Sequence, residues 1–363
     1  MKLTQLEALR GAAALYVVIY HSSNFDWTAQ FPLGNLLRLG QEVVMIFFLM
    51  SGFVIHYSFQ RGSNKTFRTY FLRRFLRVYA PLLPILLLSY LVASWQAGSW
   101  IDPQWRELLG NLLMLQDNSG QKPGVIVDPY LYNLPLWTLS YEWWFWMLYY
   151  PTVRLLPEWR RRAWVVFGFS AVIGLLYMVA PNALTRLFLY FGLWWIGAYL
   201  ADLYLRGTLH RFEEWAPLLA YSGGMAVLMC LNMFWIQQRT GETMVFWLGY
   251  PVLEARHFAG VTCLLIAAYL WKRVRWFGFD ALLGRFAILA PISYSVYASH
   301  FFLYTEAHYL DFIANYWLRT AAYLSVVVAV SWLIEMKLFP LVNRAALDWE
   351  RGLSGSPKAK LAA

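Results

Sequence analysis

Cysteine is nearly absent from this chain: two in 363 residues. Cys230 and Cys263 each fall inside a hydrophobic run, far from any Cys-x-x-Cys spacing, which argues against a disulfide framework and against a cysteine zinc site. No metal is expected. Charge is scarce as well, with Asp, Glu, Lys and Arg making up only 14% of residues, against roughly 25% in soluble domains. Acidic residues are the rarer sign, 20 against 30 basic, for a net charge of +10. No basic extramembrane domain accompanies that excess, so nucleic-acid binding is excluded and the charge reads mainly as membrane anchoring. A fixed-period repeat is also missing, which argues against the repeat-built transporter folds.

What is present is apolar surface: 60% of residues are hydrophobic and the mean hydropathy is +0.45. Runs long enough to cross about 30 Å of hydrocarbon lie near residues 6–25, 39–58, 76–96, 135–153, 163–180, 186–205, 216–236, 245–271, 281–304 and 317–340. The expected fold is therefore all-α, a polytopic integral membrane protein of about ten transmembrane helices. The fourth and fifth are shortened by Pro151 and Pro157. Residues 11–20 resemble a signal-peptide core, but no strong cleavage site follows and the segment reads as a retained helix.

With both termini placed in the cytoplasm, only Arg38, Arg106, Lys122, Arg186, Arg239, Arg256 and Arg319 of the 30 basic residues fall on the outer side. This asymmetry predicts an N-in, C-in topology. Residues 1–345 form one transmembrane domain, and the polar, small-residue tail 346–363 reads as disordered cytoplasmic chain. The segment 97–134 is a long outer loop, with a short amphipathic helix expected near 105–115. A loop of that length is more often functional than decorative.

Arg10 and His21 both lie in the first hydrophobic helix, separated by ten residues. Eleven helical steps make about three turns, so the two share a face and stand roughly 16 Å apart along the axis. Ionisable groups within a membrane are costly and tend to be functional. Arg73, Arg74 and Arg77 open the third helix, where guanidinium groups suit phosphate; lipid-headgroup anchoring is the competing reading. On the outer side, helix directions bring His21, Glu42, Glu142, Glu254, His257 and His300 to similar depth. A packed, hydrogen-bonded histidine is an equal reading for His300 and the plainer one for His56 and His308. Glu142 sits among Trp137, Trp143, Trp144 and Trp146 and must find a partner or a proton; the tryptophans themselves read as an interfacial belt.

These residues also carry a resemblance. Over residues 4–340 the chain resembles the acyltransferase 3 family of membrane O-acyltransferases. LEALRGAAALYVVIYH is similar to its opening Arg and His motif, and Phe47, Phe48, Ser51, Gly52 and Phe53 to its second-helix signature. Arg74 and Arg77 match its Arg-x-x-Arg segment, Ser140 and Glu142 its Ser-x-Glu motif, and Ser293, Tyr294, Tyr297 and His300 its ninth-helix pattern. Met45 replaces an acidic residue common in the family, and Trp144 and Trp146 replace a Gln and a Tyr. The chain ends without the hydrolase-like extension of some relatives, so activity is expected in the membrane part.

The resemblance implies transfer of an acyl group, most often acetyl, from cytoplasmic acyl-CoA to a hydroxyl of an envelope or exported glycan: a polysaccharide, O-antigen or lipid-linked oligosaccharide. The expected setting is the bacterial inner membrane. Acyl-CoA is the expected donor substrate, with Arg73, Arg74 and Arg77 on its phosphates and Arg10 orienting its polar arm. His21 is the expected general base, an acyl-imidazole being the other route, and Glu142 positions His21 or the acceptor hydroxyl. Expected partners are acyl-CoA, the glycan acceptor and membrane lipids, with a homo-oligomer left open. A transporter or flippase for a lipid-linked or anionic solute is the alternative, and a non-catalytic scaffold a third reading.

Overall fold

In a computed structural model, residues 3–22, 37–241 and 249–354 are described. These residues are all-helical, with one isolated bridge between Gln116 and Val127. The helices are α1 (Leu3–Ser22), α2 (Gly40–Arg61), α3 (Phe67–Gln96), α4 (Trp105–Leu112), α5 (Trp137–Leu155), α6 (Trp159–Val179) and α7 (Ala183–Arg206). They continue with α8 (Phe212–Thr240), α9 (Val252–Arg273), α10 (Phe279–Leu282), α11 (Ser293–His300), α12 (Tyr316–Trp332) and α13 (Phe339–Ser354). A 3-10 stretch, Gly284–Ile292, leads into α11, and a π-helical turn, Phe301–Thr305, leaves it.

Each of the ten expected runs contains one of these helices or helical chains, and eight are long and apolar enough to cross a membrane. The other two are α1 and α5, helices of 20 and 19 residues. Gln5, Glu7, Arg10 and His21 lower the hydropathy of α1, and Trp and Tyr that of α5. The short helix expected in the long loop is α4. α13 carries the chain in helical form to Ser354, so residues 346–354 of the tail expected to be disordered are helical, and residues 355–363 lie outside the described ones.

α7 is the hub. Its sequence is apolar on every side, which suits a helix enclosed by others, and it packs most extensively on α2 and α6. The α2–α7 crossing depends on two glycines. A Cβ on Gly52 would lie 2.3 Å from the Trp194 carbonyl, and one on Gly197 would lie 1.9 Å from that of Leu49. Only a residue without a side chain allows backbones this close. Outward faces of α3, α6 and α8 expose Leu83, Leu87, Val172, Leu175, Val227 and Leu231, as a lipid-facing surface requires.

The loop between α4 and α5 folds back over the bundle instead of trailing from it. Gly124, at φ +65, lies against Asn182 at the start of α7, and its carbonyl accepts from the Ala183 N–H. Below it Asp117 binds Lys122 at 2.7 Å, the Tyr141 hydroxyl at 2.6 Å and Arg186 at 2.9 Å. Lys122 Nζ also sits 3.3 Å from the centre of the Trp137 ring. Burial pushes Lys122 down to about 8. Burial alone would raise Asp117, but the charges of Lys122 and Arg186 override it and hold the carboxyl below its usual range. Lys122 and Arg186, expected among the outer-side basic residues, are thus interior residues that fasten the loop.

Candidate active site

α1 and α11 bring two imidazoles together. His21, in the last turn of α1, places Nδ1 2.8 Å from Nε2 of His300. Nδ1 of His300 faces the carbonyl oxygens of Tyr297 at 2.8 Å and Val296 at 3.1 Å. A carbonyl can only accept, so the proton of neutral His300 resides on Nδ1 and its Nε2 accepts. The hydrogen between the rings then belongs to His21 Nδ1. His21 Nε2 is left with its lone pair, the arrangement a general base requires.

His21 lines a cavity of about 370 Å³ at the C-terminal end of α1, with Tyr20, Gln41, Asn118, Gln121, Trp137, Phe301 and Thr305 among its walls. The folded-back loop supplies Asn118 and Gln121. The π-turn after His300 supplies Phe301, whose ring meets His21 edge-on with centroids 5.5 Å apart. Such wide turns recur at functional sites.

A second cavity, about 320 Å³, lies toward the basic end and holds Arg10, Arg74, Arg77, Ser51, Glu142 and Tyr294. Arg10 donates to the Ala290 carbonyl at 3.2 Å, and its buried Nε has no partner. Arg74 donates to Ser58 at 3.2 Å, stands over the Tyr70 and Trp146 rings and likewise has a buried, unpartnered Nε. Arg77 is paired with Glu335 at 2.6 Å, and Ser295 donates to the other Glu335 oxygen. Ser51 accepts from Trp146 at 2.9 Å and from Trp194 at 3.1 Å. Its own hydroxyl hydrogen is left for Glu142. Val44 and Tyr297 line both cavities.

Several expected placements change. Glu142 lies with the arginines, not in the cavity of His21, because α5 opens with Trp137 on the His21 cavity and Glu142, five residues along the helix, reaches the other one. Arg73 is exposed and does not line this cavity, whereas Arg74 and Arg77, three residues apart, both do. Glu42 pairs with Arg256 at 2.7 Å, Glu254 accepts from Tyr177 at 2.7 Å, and His257 contacts the Tyr190 hydroxyl at 2.6 Å. None of these three lines the cavity of His21. His56 is a packed contact between Tyr149 and Asp202, whereas His308 is exposed beside Asp311. Trp137, Trp143 and Trp146 are buried core residues and no interfacial belt. Sequence reading passed over Glu335, although a lone carboxylate in the apolar run SWLIEMKLF is the signal that intramembrane charge provides.

Fold and site together define a polytopic membrane protein with two cavities, one cationic and one built around an imidazole pair. Residues 3–336 match the acyltransferase domain that defines the acyltransferase 3 family, and the chain belongs to that family. The matched region carries the family's acyltransferase domain on helices long and apolar enough to cross a membrane. The curated relative acyltransferase MdmB of Streptomyces mycarofaciens is 32% identical over 186 residues, 48% of this chain. The match spans 45% of that relative's length. No solved structure matches the chain.

Proposed function

We propose that this enzyme transfers an acyl group, acetyl foremost, from acyl-CoA bound at the cytoplasmic face of a bacterial inner membrane to a hydroxyl of an envelope or exported glycan. The observation that carries the reading is the pair of cavities: unpartnered guanidinium N–H groups in one, a directed imidazole lone pair in the other, and Val44 and Tyr297 common to both. Arg74 and Arg77 bind the CoA phosphates, and Arg10 guides the acyl-bearing arm toward the shared wall. Glu142 and Glu335 set the positions of these cations, a role that replaces the one expected for Glu142 beside His21.

In the direct route His21 Nε2 takes the proton of the acceptor hydroxyl as its oxygen attacks the thioester carbonyl. The tetrahedral adduct collapses, the carbon–sulfur bond breaks, and the thiolate recovers the proton from the imidazolium. Ester and free CoA thiol are the products. His300 orients His21 throughout.

The test is transfer of radiolabelled acetyl from acetyl-CoA to membrane glycan by protein reconstituted in vesicles. His21→Ala is expected to keep acetyl-CoA affinity within a few-fold while losing at least about 10²-fold in transfer, as for a missing general base. Near-normal transfer by that variant overturns the assignment. Reporter fusions after Arg68 and Arg162 should report cytoplasm and one at Gly120 the outer side; a cytoplasmic signal at Gly120 overturns the two-sided arrangement.

A further inference from the structure

Two polar atoms in the cavity of His21 have no account in the chemistry above. Gln41, in the first turn of α2, is 7% exposed, and its side-chain Oε1 is buried without a hydrogen-bond partner. Thr305, the last residue of the π-turn, presents an Oγ1 that is equally buried and equally unpartnered. Both residues line the cavity that holds His21. An unsatisfied buried oxygen costs free energy, so native proteins leave few of them, and each calls for a physical reason.

Their chemistry narrows the ligand. An amide oxygen accepts only, whereas a threonine hydroxyl both donates and accepts. A hydroxyl group answers either of them. A carboxylate or phosphate would meet the Gln41 oxygen as a second acceptor. The charges that line this cavity, Arg38 and Glu306, are both exposed and of opposite sign, and the remaining polar lining comes from neutral groups such as Asn118 and Gln121. Apolar surface for the carbon face of a ring is supplied by Tyr20 and Phe301.

We infer that Gln41 and Thr305 form an acceptor subsite, in which they bind hydroxyls next to the acylated one on a neutral, polyhydroxylated ring and so determine which hydroxyl reaches His21. They are positioning and specificity residues rather than catalytic ones. This inference rests on the glycan-acylation reading and adds to it the residues that select the acceptor and the absence of charge on the ring they hold.

The experiment uses the purified full chain in nanodiscs and a panel of methyl hexopyranosides, each with its 2-, 3-, 4- and 6-deoxy analogues, with binding followed by saturation-transfer NMR. Wild type is expected to bind at least one glycoside and to bind one of its deoxy analogues up to about tenfold more weakly, the value of one neutral hydrogen bond. Gln41→Leu should bind the parent about as weakly as wild type binds that analogue and should no longer distinguish the two. Thr305→Val should do the same for a different hydroxyl, while Gln41→Asn and Thr305→Ser, which keep the chemistry, should recover part of the discrimination. Acetyl-CoA affinity should stay within twofold in all four, which also reports folding. Failure of every glycoside to bind wild type overturns the subsite, as does unchanged discrimination in Gln41→Leu and Thr305→Val. Transfer of acetyl to glycan that persists beside unchanged discrimination would leave the enzyme reading standing and remove only the subsite. Gln41-dependent binding without any transfer would do the reverse.

Discussion

His300 offers the sharpest test of the site, because its effect follows from hydrogen-bond direction alone. With Nδ1 committed to the Tyr297 carbonyl at 2.8 Å, its Nε2 holds the His21 Nδ1 hydrogen at 2.8 Å. Replacement by alanine leaves that hydrogen without an acceptor inside a buried cluster, at a cost of about 1–3 kcal/mol. If the cost falls on the reactive orientation of His21, turnover drops by roughly 5- to 150-fold, since each 1.4 kcal/mol is about tenfold in rate. His300→Phe fills the volume but cannot accept a hydrogen bond, so it should match His300→Ala. His300→Gln carries an amide oxygen that can accept and should lie within about fivefold of wild type. The assay is kcat for CoA release in the presence of acceptor, with acyl-CoA affinity measured in parallel and expected to be unchanged. Wild-type turnover in His300→Phe, or equal loss in the phenylalanine and glutamine variants, refutes the argument that His300 sets the His21 tautomer.

Three further outcomes are expected. Val44→Phe, at the wall common to both cavities, should stop transfer while leaving acyl-CoA affinity within a few-fold; equilibrium CoA binding and single-turnover transfer separate the two. Arg74→Ala should weaken acyl-CoA binding by about 1.5–3 kcal/mol, as for a charge-assisted hydrogen bond, and by more than Arg77→Ala, because Arg77 already shares its charge with Glu335. Arg74→Lys should recover only part of the loss, since a point charge does not replace a planar fork; titration of labelled CoA checks the order. Asp117→Asn leaves Lys122 and Arg186 buried without their common counter-charge and should cost about 3–5 kcal/mol, read as a lower melting temperature. Because the Asp117 carboxyl is held below its ordinary value in the folded state, its contribution is present above about pH 4 and is lost as pH falls further. The variant should lack that part of the acid-side decline.

Much of the architecture was legible in the chain itself. Hydrophobic runs located the helices because a membrane requires continuous apolar stretches with internally paired backbones. The Arg10 to His21 spacing put one group in each cavity, since helical rise converts eleven positions into depth. Arg74 and Arg77 were expected on one face, and both line the basic cavity, while Arg73 is exposed and does not.

Partnership was not legible, because it depends on helices distant in sequence. Nothing near His21 announces that His300 will lie 2.8 Å away, or near Arg77 that Glu335 will meet it at 2.6 Å. Glu142 looked like an outer-side group from its place near the start of a helix, yet it lines the cavity of the arginines, while Trp137 at the first position of α5 lines that of His21. Gln41 and Thr305 drew no attention as residues, since a glutamine or a threonine becomes informative only when its oxygen is buried with nothing to bind. The order of apolar and ionisable groups along the chain therefore determined the class of protein and the separation of charges within a single helix, both local consequences of helical geometry and lipid. Which charges pair, which oxygens stay unpartnered and which way the His21 proton points were decided by packing between segments far apart in the chain, where hydrogen-bond direction and close backbone contact leave few arrangements open.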